Sequence, residues 1–229
     1  MFTETITHAG APTTGTATES HASYLLRRAL RRGFDVEATP GGGARIDWTA
    51  LSLTGDGAPV RAPRSITLSP QTPAGTLTDT VRADLAAIAD TPAARHDTDR
   101  GARVIVGGLW RIPPGATARL HARGLVIEEQ GRPRLSLAAQ LALLAHAHRT
   151  TTTQPEGWHR STDPYGSAGL NRPGRRAGLM HDRTSAAVCS CGELSAWGGD
   201  QEEARRLATA HRRAAAAVFI VAELGAPTP

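Results

Sequence analysis

Two cysteines and a histidine near the C-terminal end are the residues best placed to do chemistry. Cys189 and Cys191 stand one residue apart in Val188-Cys-Ser-Cys-Gly192, and His211 follows downstream. Zinc is held by four soft or borderline ligands in a tetrahedron, commonly with two of them on one tight turn. Gly192, directly after the second cysteine, suits such a turn because a positive φ costs glycine nothing. His181, upstream of the cysteines, is the natural fourth ligand, with His159 in reserve. Two further readings of the thiols stay open: a redox-active Cys-x-Cys pair, and idle cysteines with an unrelated histidine. A catalytic zinc would keep one position open beside an acid or base. Glu193 and Asp182 are near, but no His-x-Glu pair feeds a Cys-x-x-Cys turn. The spacing therefore favours a structural zinc.

A helix must carry His211 to that turn. Asp200 is a fitting N-cap and Glu203 stands three residues on, as in a capping box. Ala204, Leu207, Ala208 and His211 then share one face. Together these residues define a metal-binding unit over about Gly178–Arg213. The run Cys189-Ser-Cys191-Gly192, with Glu202-Glu-Ala-Arg205 and Ala210-His211-Arg212-Arg213, resembles the short Cys-x-Cys-Gly…His tails of small actinobacterial phage and mobile-element proteins. Glu193 stands where those tails more often have Trp. The resemblance implies a structural zinc site on a protein working near nucleic acid, and no reaction.

A second set of residues points to DNA. Ala116-Thr-Ala-Arg-Leu-His-Ala-Arg-Gly124-Leu125-Val126, followed by Glu128-Glu-Gln-Gly-Arg-Pro-Arg-Leu135-Ser-Leu137, resembles the later half of a winged-helix domain, a recognition-type helix running into a wing and its return. The resemblance implies that Arg119 and Arg123 meet phosphate or a guanine edge from one helical face. It also implies that Arg132 and Arg134 follow the backbone from the wing. The alternative is that these arginines are solvated surface charges. The chain holds 26 basic against 21 acidic residues, and every basic one is Arg, a planar fork suited to phosphate. The resulting net charge of +5 permits nucleic-acid binding without demanding it.

The remaining punctuation defines an α+β chain. Met1–Ser20, rich in Thr and without periodicity, is expected to be a disordered tail. The body then spans 21–149, with its winged-helix-like part at about 101–149. A helix over Ser23–Arg32 is stopped by Gly33. Phe34–Ala38 and Ala44–Trp48 flank Thr39-Pro-Gly-Gly-Gly43 as a hairpin. The Gly- and Pro-dense Thr49–Pro73 offers one short strand, Ser65–Leu68, and Thr76 or Thr78 caps a helix to about Ala89. After a polar linker over Asp90–Gly101, Gly107-Gly108 joins a further hairpin, Pro114–Arg123 reads as a helix closed by Gly124, and Leu125–Glu129 and Arg132–Leu137 flank Gln130-Gly131 as another hairpin. A last helix of the body runs over Leu137–His148 with Ser136 as its N-cap. His146 and His148, two apart near its end, read as surface residues.

Residues 150–177 read as a linker, followed by the zinc-binding unit with its long final helix at 178–225. Aromatic residues make up only 4%, so the cores must be built from Ala, Leu and Val, and a metal staple suits a small unit of that kind.

The chain has no P-loop, no Gly-x-Gly-x-x-Gly opening a helix after a strand, no Gly-x-Ser-x-Gly and no His-Glu-x-x-His, so an enzyme is the least favoured class. Its longest apolar run, Ala214–Ala222, is too short for a bilayer and the N-terminus has no signal pattern, which places the expected protein in the cytoplasm. The leading expectation is a DNA-associated regulatory or accessory protein of a mobile element, with duplex DNA as its partner. The alternative is a protein–protein adaptor docking through the zinc tail and the Val218, Phe219 and Val221 side chains of the final helix.

Overall fold

The Thr-rich N-terminus is folded. In the computed structural model, which describes residues 1–8, 11–53, 56, 58–72, 74, 77–153, 158–160, 179–181, 185–197 and 201–225, Phe2–His8 (β1) and Ala11–Ala17 (β2) form an antiparallel hairpin. The expected disordered tail is corrected accordingly. Threonine is β-branched and suits a pleated surface. Rows such as Thr3 opposite Thr16 and Thr5 opposite Thr14 leave one face polar, so no apolar alternation announces the strands. What anchors them is Phe2 and Ala17, each 2% exposed.

This hairpin is the edge of a five-stranded antiparallel sheet in the order β2-β1-β5-β4-β3, completed by Asp35–Ala38 (β3), Ala44–Leu53 (β4) and Pro59–Pro70 (β5). The Gly- and Pro-dense stretch expected to hold one short strand instead supplies the end of β4 and all of β5. The prolines are tolerated by their placement. β1 covers only Arg64–Pro70, so Pro59 and Pro63 lie on a part of β5 with one open edge. Between β3 and β4, Gly42 has φ +82°, and a Cβ there or at Gly43 would strike the carbonyls of Ala138 and Leu68.

Glu19–Arg31 (α1) begins earlier than the periodicity predicts, because Thr18 rather than a later residue is its N-cap, accepting from the His21 amide at 3.1 Å. Gly33 ends it at φ +68° as expected. Ala22, Leu26, Ala29 and Leu30 of α1 pack on the sheet, joined by Ala216 and Ile220 of the final helix, Gln201–Leu224 (α5).

A second core lies in the same unit. Asp79–Asp90 (α2), capped by Thr78, the second of the two candidate threonines, is followed by Ala93–Thr98 (β6), Gly101–Val106 (β7) and Trp110–Ile112 (β8), a three-stranded antiparallel sheet. The polar linker expected over Asp90–Gly101 is thus mostly β6. Its outward side chains are polar, and Ala93 alone is buried, so the strand carries almost no apolar signal. Pro114–Ala122 (α3) and the hairpin Val126–Glu129 (β9) with Arg132–Leu135 (β10) follow as read from the sequence. Gln130 and Gly131 both take positive φ in the turn.

Leu137–Ala147 (α4) is apolar nearly all round because it serves both cores. Leu137, Ala138 and Leu141 face the first, and Ala139 and Ala142 the second. Its N-terminus is held twice, with the Leu137 amide donating to Glu19 Oε1 at 2.8 Å and the Ala139 amide to Ser136 Oγ at 3.2 Å.

The architecture is therefore α+β with antiparallel sheets. The helix–hairpin part of the winged-helix expectation is present as α3, β9 and β10, but a sheet, β6-β7-β8, precedes α3 where a winged helix has a helix pair. The chain divides into two compact units, one of Met1–Ala147 with the chain from Arg212 onward, the other His148–His211. The expected linker over 150–177 is corrected in its first residues, since Thr150–Thr153 (β11) is a strand of the second unit. That unit also holds Ala186–Cys189 (β14) and Ser195–Trp197 (β15), in a sheet of order β11-β14-β15, and the pair Trp158–Arg160 (β12) with Leu179–His181 (β13). Among the described residues, no helix is long and apolar enough to cross a membrane.

Candidate metal centre

The site is assembled by one sheet and one helix of the second unit. β14 ends at Cys189, and the chain reverses through Cys191 and Gly192 before β15 leaves in the opposite direction. The Gly192 amide donates to the Cys189 carbonyl at 3.0 Å and the Cys189 amide to the Leu194 carbonyl at 2.9 Å. Gly192 takes φ +82°, the conformation its position after the second cysteine predicts. The Glu193 amide points at Cys191 Sγ, 3.4 Å away, as turn amides do around metal-bound thiolates.

β11 runs antiparallel to β14 with Thr150 opposite Cys189. Two hydrogen bonds extend that pairing past the strand ends: Ser190 N to the Arg149 carbonyl at 3.0 Å, and Arg149 N to Ser190 Oγ at 3.1 Å. They hold the residue before Arg149, His148, against the cysteine turn. From α5, Ala204 and Ala208 pack on Ala187 and Leu194. Side chains this small let the helix approach closely, and His211, three residues past Ala208 on the same face, arrives over the thiols.

Four ligand atoms converge. His148, Cys189, Cys191 and His211 each offer one, and all lie within 4.8 Å of one another. His211 Nε2 is 3.2 Å from Cys191 Sγ and 3.2 Å from His148 Nδ1. A tetrahedral ion with bonds of ~2.3 Å to sulfur and ~2.0 Å to nitrogen needs ligand–ligand edges of roughly 3.3–3.8 Å. The cluster therefore fits a metal ion with small adjustments. Neither thiol is in a disulfide. Burial pushes the Cys189 thiol above its ordinary value. Burial likewise holds the His148 imidazole below its usual range, with nearby His211 adding to the effect and Glu193 opposing it. A neutral imidazole is the ligating form.

Three of the four ligands read from the sequence, Cys189, Cys191 and His211, are brought together. The fourth member of the cluster among the described residues is His148, which the sequence reading placed at the surface. α4 ends at Ala147, so His148 is not the surface residue of a helix end but the residue that leads into β11. The signal available in the sequence was the β-prone run Thr150–Thr153 directly after it, a strand that has to pair somewhere. His181 and His159 sit on β13 and β12, with Trp158 opposite His181 and His159 opposite Met180. Their side chains, like Asp182, Asp200 and residues 161–178, lie outside the described residues.

The four arginines expected at DNA are placed differently from one another. Arg119 is exposed on α3, and Arg132 is exposed on β10. Arg123, just past α3, donates to the Ala74 carbonyl and so ties down a loop. Arg134 pairs with Glu129 at 2.7 Å and lies 3.8 Å from Glu19. Glu128 pairs with Arg95 at 2.6 Å. Of the residues expected to dock a protein partner, Phe219 and Val221 pack against the first core, and only Val218, 69% exposed, is open.

No protein-family model, characterised protein or solved structure matches this chain.

Proposed function

We propose that the second unit is a zinc-stapled module, with a structural Zn²⁺ held by His148, Cys189, Cys191 and His211. The observation that carries the reading is the convergence of two thiols and two imidazoles from three chain segments far apart in sequence. Thiolate and imidazole ligands suit Zn²⁺ and not the hard ions Mg²⁺ or Ca²⁺. Four protein ligands leave no open position for substrate or water, which separates this site from a catalytic zinc. The packing around the site adds support. Among the described residues its core is Ala187, Ala204 and Ala208 with Leu194. Buried methyls contribute about 0.8 kcal/mol each, whereas a structural zinc contributes on the order of 10 kcal/mol. Elemental analysis of protein purified without chelator tests the assignment, with about one zinc per chain expected. A chain free of metal, or one that binds Mg²⁺ as well as Zn²⁺, overturns it.

For the body we propose association with duplex DNA through α3 and the β9–β10 hairpin in the manner of a winged helix, as a regulatory or accessory protein of a mobile element. The specific observation in favour is that Arg119 and Arg132 are exposed without an acidic partner among the described residues. The hairpin itself is balanced, with Glu129 opposite Arg132 and paired with Arg134, and Glu128 paired with Arg95, so the contact is weak and salt-sensitive. Fluorescence anisotropy against a mixed-sequence duplex should show binding at low salt that fades steeply toward physiological salt and is lost in Arg119→Ala with Arg132→Ala. Absence of binding at low salt removes the DNA reading. A protein partner met through Val218 and the metal unit would then be the reading to pursue.

A further inference from the structure

We propose that the cysteine turn is an oxidation site, at which hydrogen peroxide joins Cys191 to Cys189 as a disulfide and so discharges the metal ion. The proposal rests on the zinc reading above and gives that site a means of regulation.

The two cysteines differ in access. Cys191 is exposed, whereas Cys189 is only 3% exposed. Oxidants reach an accessible thiolate first, and a second cysteine beside it resolves the product to a disulfide. Cys189 is placed for that second role, because its sulfur lies within 4.8 Å of the other three ligand atoms, Cys191 Sγ among them. The backbone suits the bond as well. The Gly192 amide donates to the Cys189 carbonyl at 3.0 Å, which makes Cys189–Gly192 a turn with the cysteines at its first and third positions. Cα atoms two residues apart around such a turn are about 5–6 Å apart, inside the range that a disulfide spans.

The chemistry runs in two steps. The Cys191 thiolate attacks one oxygen of the peroxide, so that an S–O bond forms, the O–O bond breaks and hydroxide leaves. The Cys189 thiolate then attacks the sulfur of the resulting sulfenic acid, forming the S–S bond and expelling the second hydroxide. The two sulfurs lose two electrons, the peroxide gains them, and two protons from solvent turn the hydroxides into water. Only a thiolate is a metal ligand, so half of the four-ligand set is lost in one event and His148 and His211 remain. These are the first and last residues of the unit His148–His211. The ion ties both ends of that unit to the cysteine turn, and oxidation unfastens them together.

The test treats the full chain with hydrogen peroxide after elemental analysis has measured its zinc. A chain without zinc defeats the zinc reading and this proposal with it; once zinc is found, every later result bears on the oxidation alone. Bound zinc, read with a chromogenic chelator, is expected to fall from about one per chain toward zero. The fall should keep step with a mass loss of about 2 Da in a peptide linking Cys189 to Cys191. Dimedone present during the reaction should capture a sulfenic acid on Cys191 and none on Cys189. Dithiothreitol followed by Zn²⁺ should restore the ion. Met1, 61% exposed, reports that the oxidant acted, since it gains one oxygen. Zinc kept at doses that oxidise Met1, zinc lost without the linked peptide, dimedone found on Cys189, or disulfides between chains instead of within one would each overturn the proposal.

Discussion

At the scale of single residues, the decisive assignment is His148. The structure gives it a specific distance, 3.2 Å from His211 Nε2, and a backbone tether through Arg149 and Ser190. Replacing it with Ala removes one of the four candidate ligands from the residue just past the end of α4. We expect His148→Ala, Cys189→Ser and His211→Ala each to reduce bound zinc from about one per chain toward zero under competition with a chelator. His181→Ala should retain it, and the reverse pattern would restore the upstream histidine as the ligand. The same residues fix the pH dependence. Cys189 is buried and its thiol is raised above the ordinary range of about 8.5, so it is protonated at neutral pH without metal. Its proton must leave when zinc enters. His148 is shifted the other way and is neutral at pH 7, so it contributes no proton there. Affinity should therefore rise with pH between 6 and 8, by roughly tenfold per unit for each proton displaced. Calorimetry in buffers of different ionisation enthalpy measures that release, and an uptake free of proton exchange would contradict it.

At the scale of elements, α4 does the most. It lends faces to both cores of the body, with Leu141 turned to the first. Leu141, 1% exposed, should cost about 2–5 kcal/mol when replaced by Ala, read from denaturant unfolding of the full chain. Glu19→Ala should cost about 1–2 kcal/mol at a distance in sequence, because it strands the Leu137 amide at the start of α4. Elements of this kind were legible where local chemistry announces them. Thr78 and Ser136 as caps, Gly33 and Gly124 as stops, the Gly107-Gly108 and Gln130-Gly131 turns, and the cysteine turn with its Gly192 all carry their own signal. What stayed hidden depends on pairing. β1, β2 and β6 have polar outer faces and one or two buried anchors each, so nothing in their own residues distinguishes a strand from a linker. The same holds for His148, whose role is set by the register of β11 on β14, a relation between residues about forty apart that no local pattern contains. The candidate metal site was thus readable on the segments bearing Cys189, Cys191 and His211, and unreadable on the segment that arrives by strand pairing. The α3–β9–β10 part of the body was readable for the opposite reason, being local from end to end.

At the scale of the whole molecule, the two units differ in what holds them. The body has two apolar clusters containing Phe2, Leu26, Ile46, Leu68, Leu85 and Ile112, each no more than 2% exposed. The unit His148–His211 has an alanine-sized core among its described residues and a four-ligand site. Burial at about 25 cal/mol per Å² stabilises the first and does little for the second. Metal removal should consequently act on one unit alone. α5 makes the difference measurable within a single helix, since Gln201–His211 belongs to the metal unit and the turns from Arg212 to the body. The later turns are fixed independently of zinc, by Ala216 and Ile220 in the first core and by ion pairs of Arg212 with Glu37 at 2.6 Å and Arg213 with Asp35 at 2.8 Å. In hydrogen exchange of the full chain, a chelator should release the amides of 186–211 by at least ~100-fold, while those of 212–224 and of α1 keep their protection. The boundary should fall within about one turn of His211. Uniform loss of protection along α5 would mean that the zinc supports the body as well. Unchanged protection at 204 and 208 would mean that alanine packing suffices and the ion is not structural.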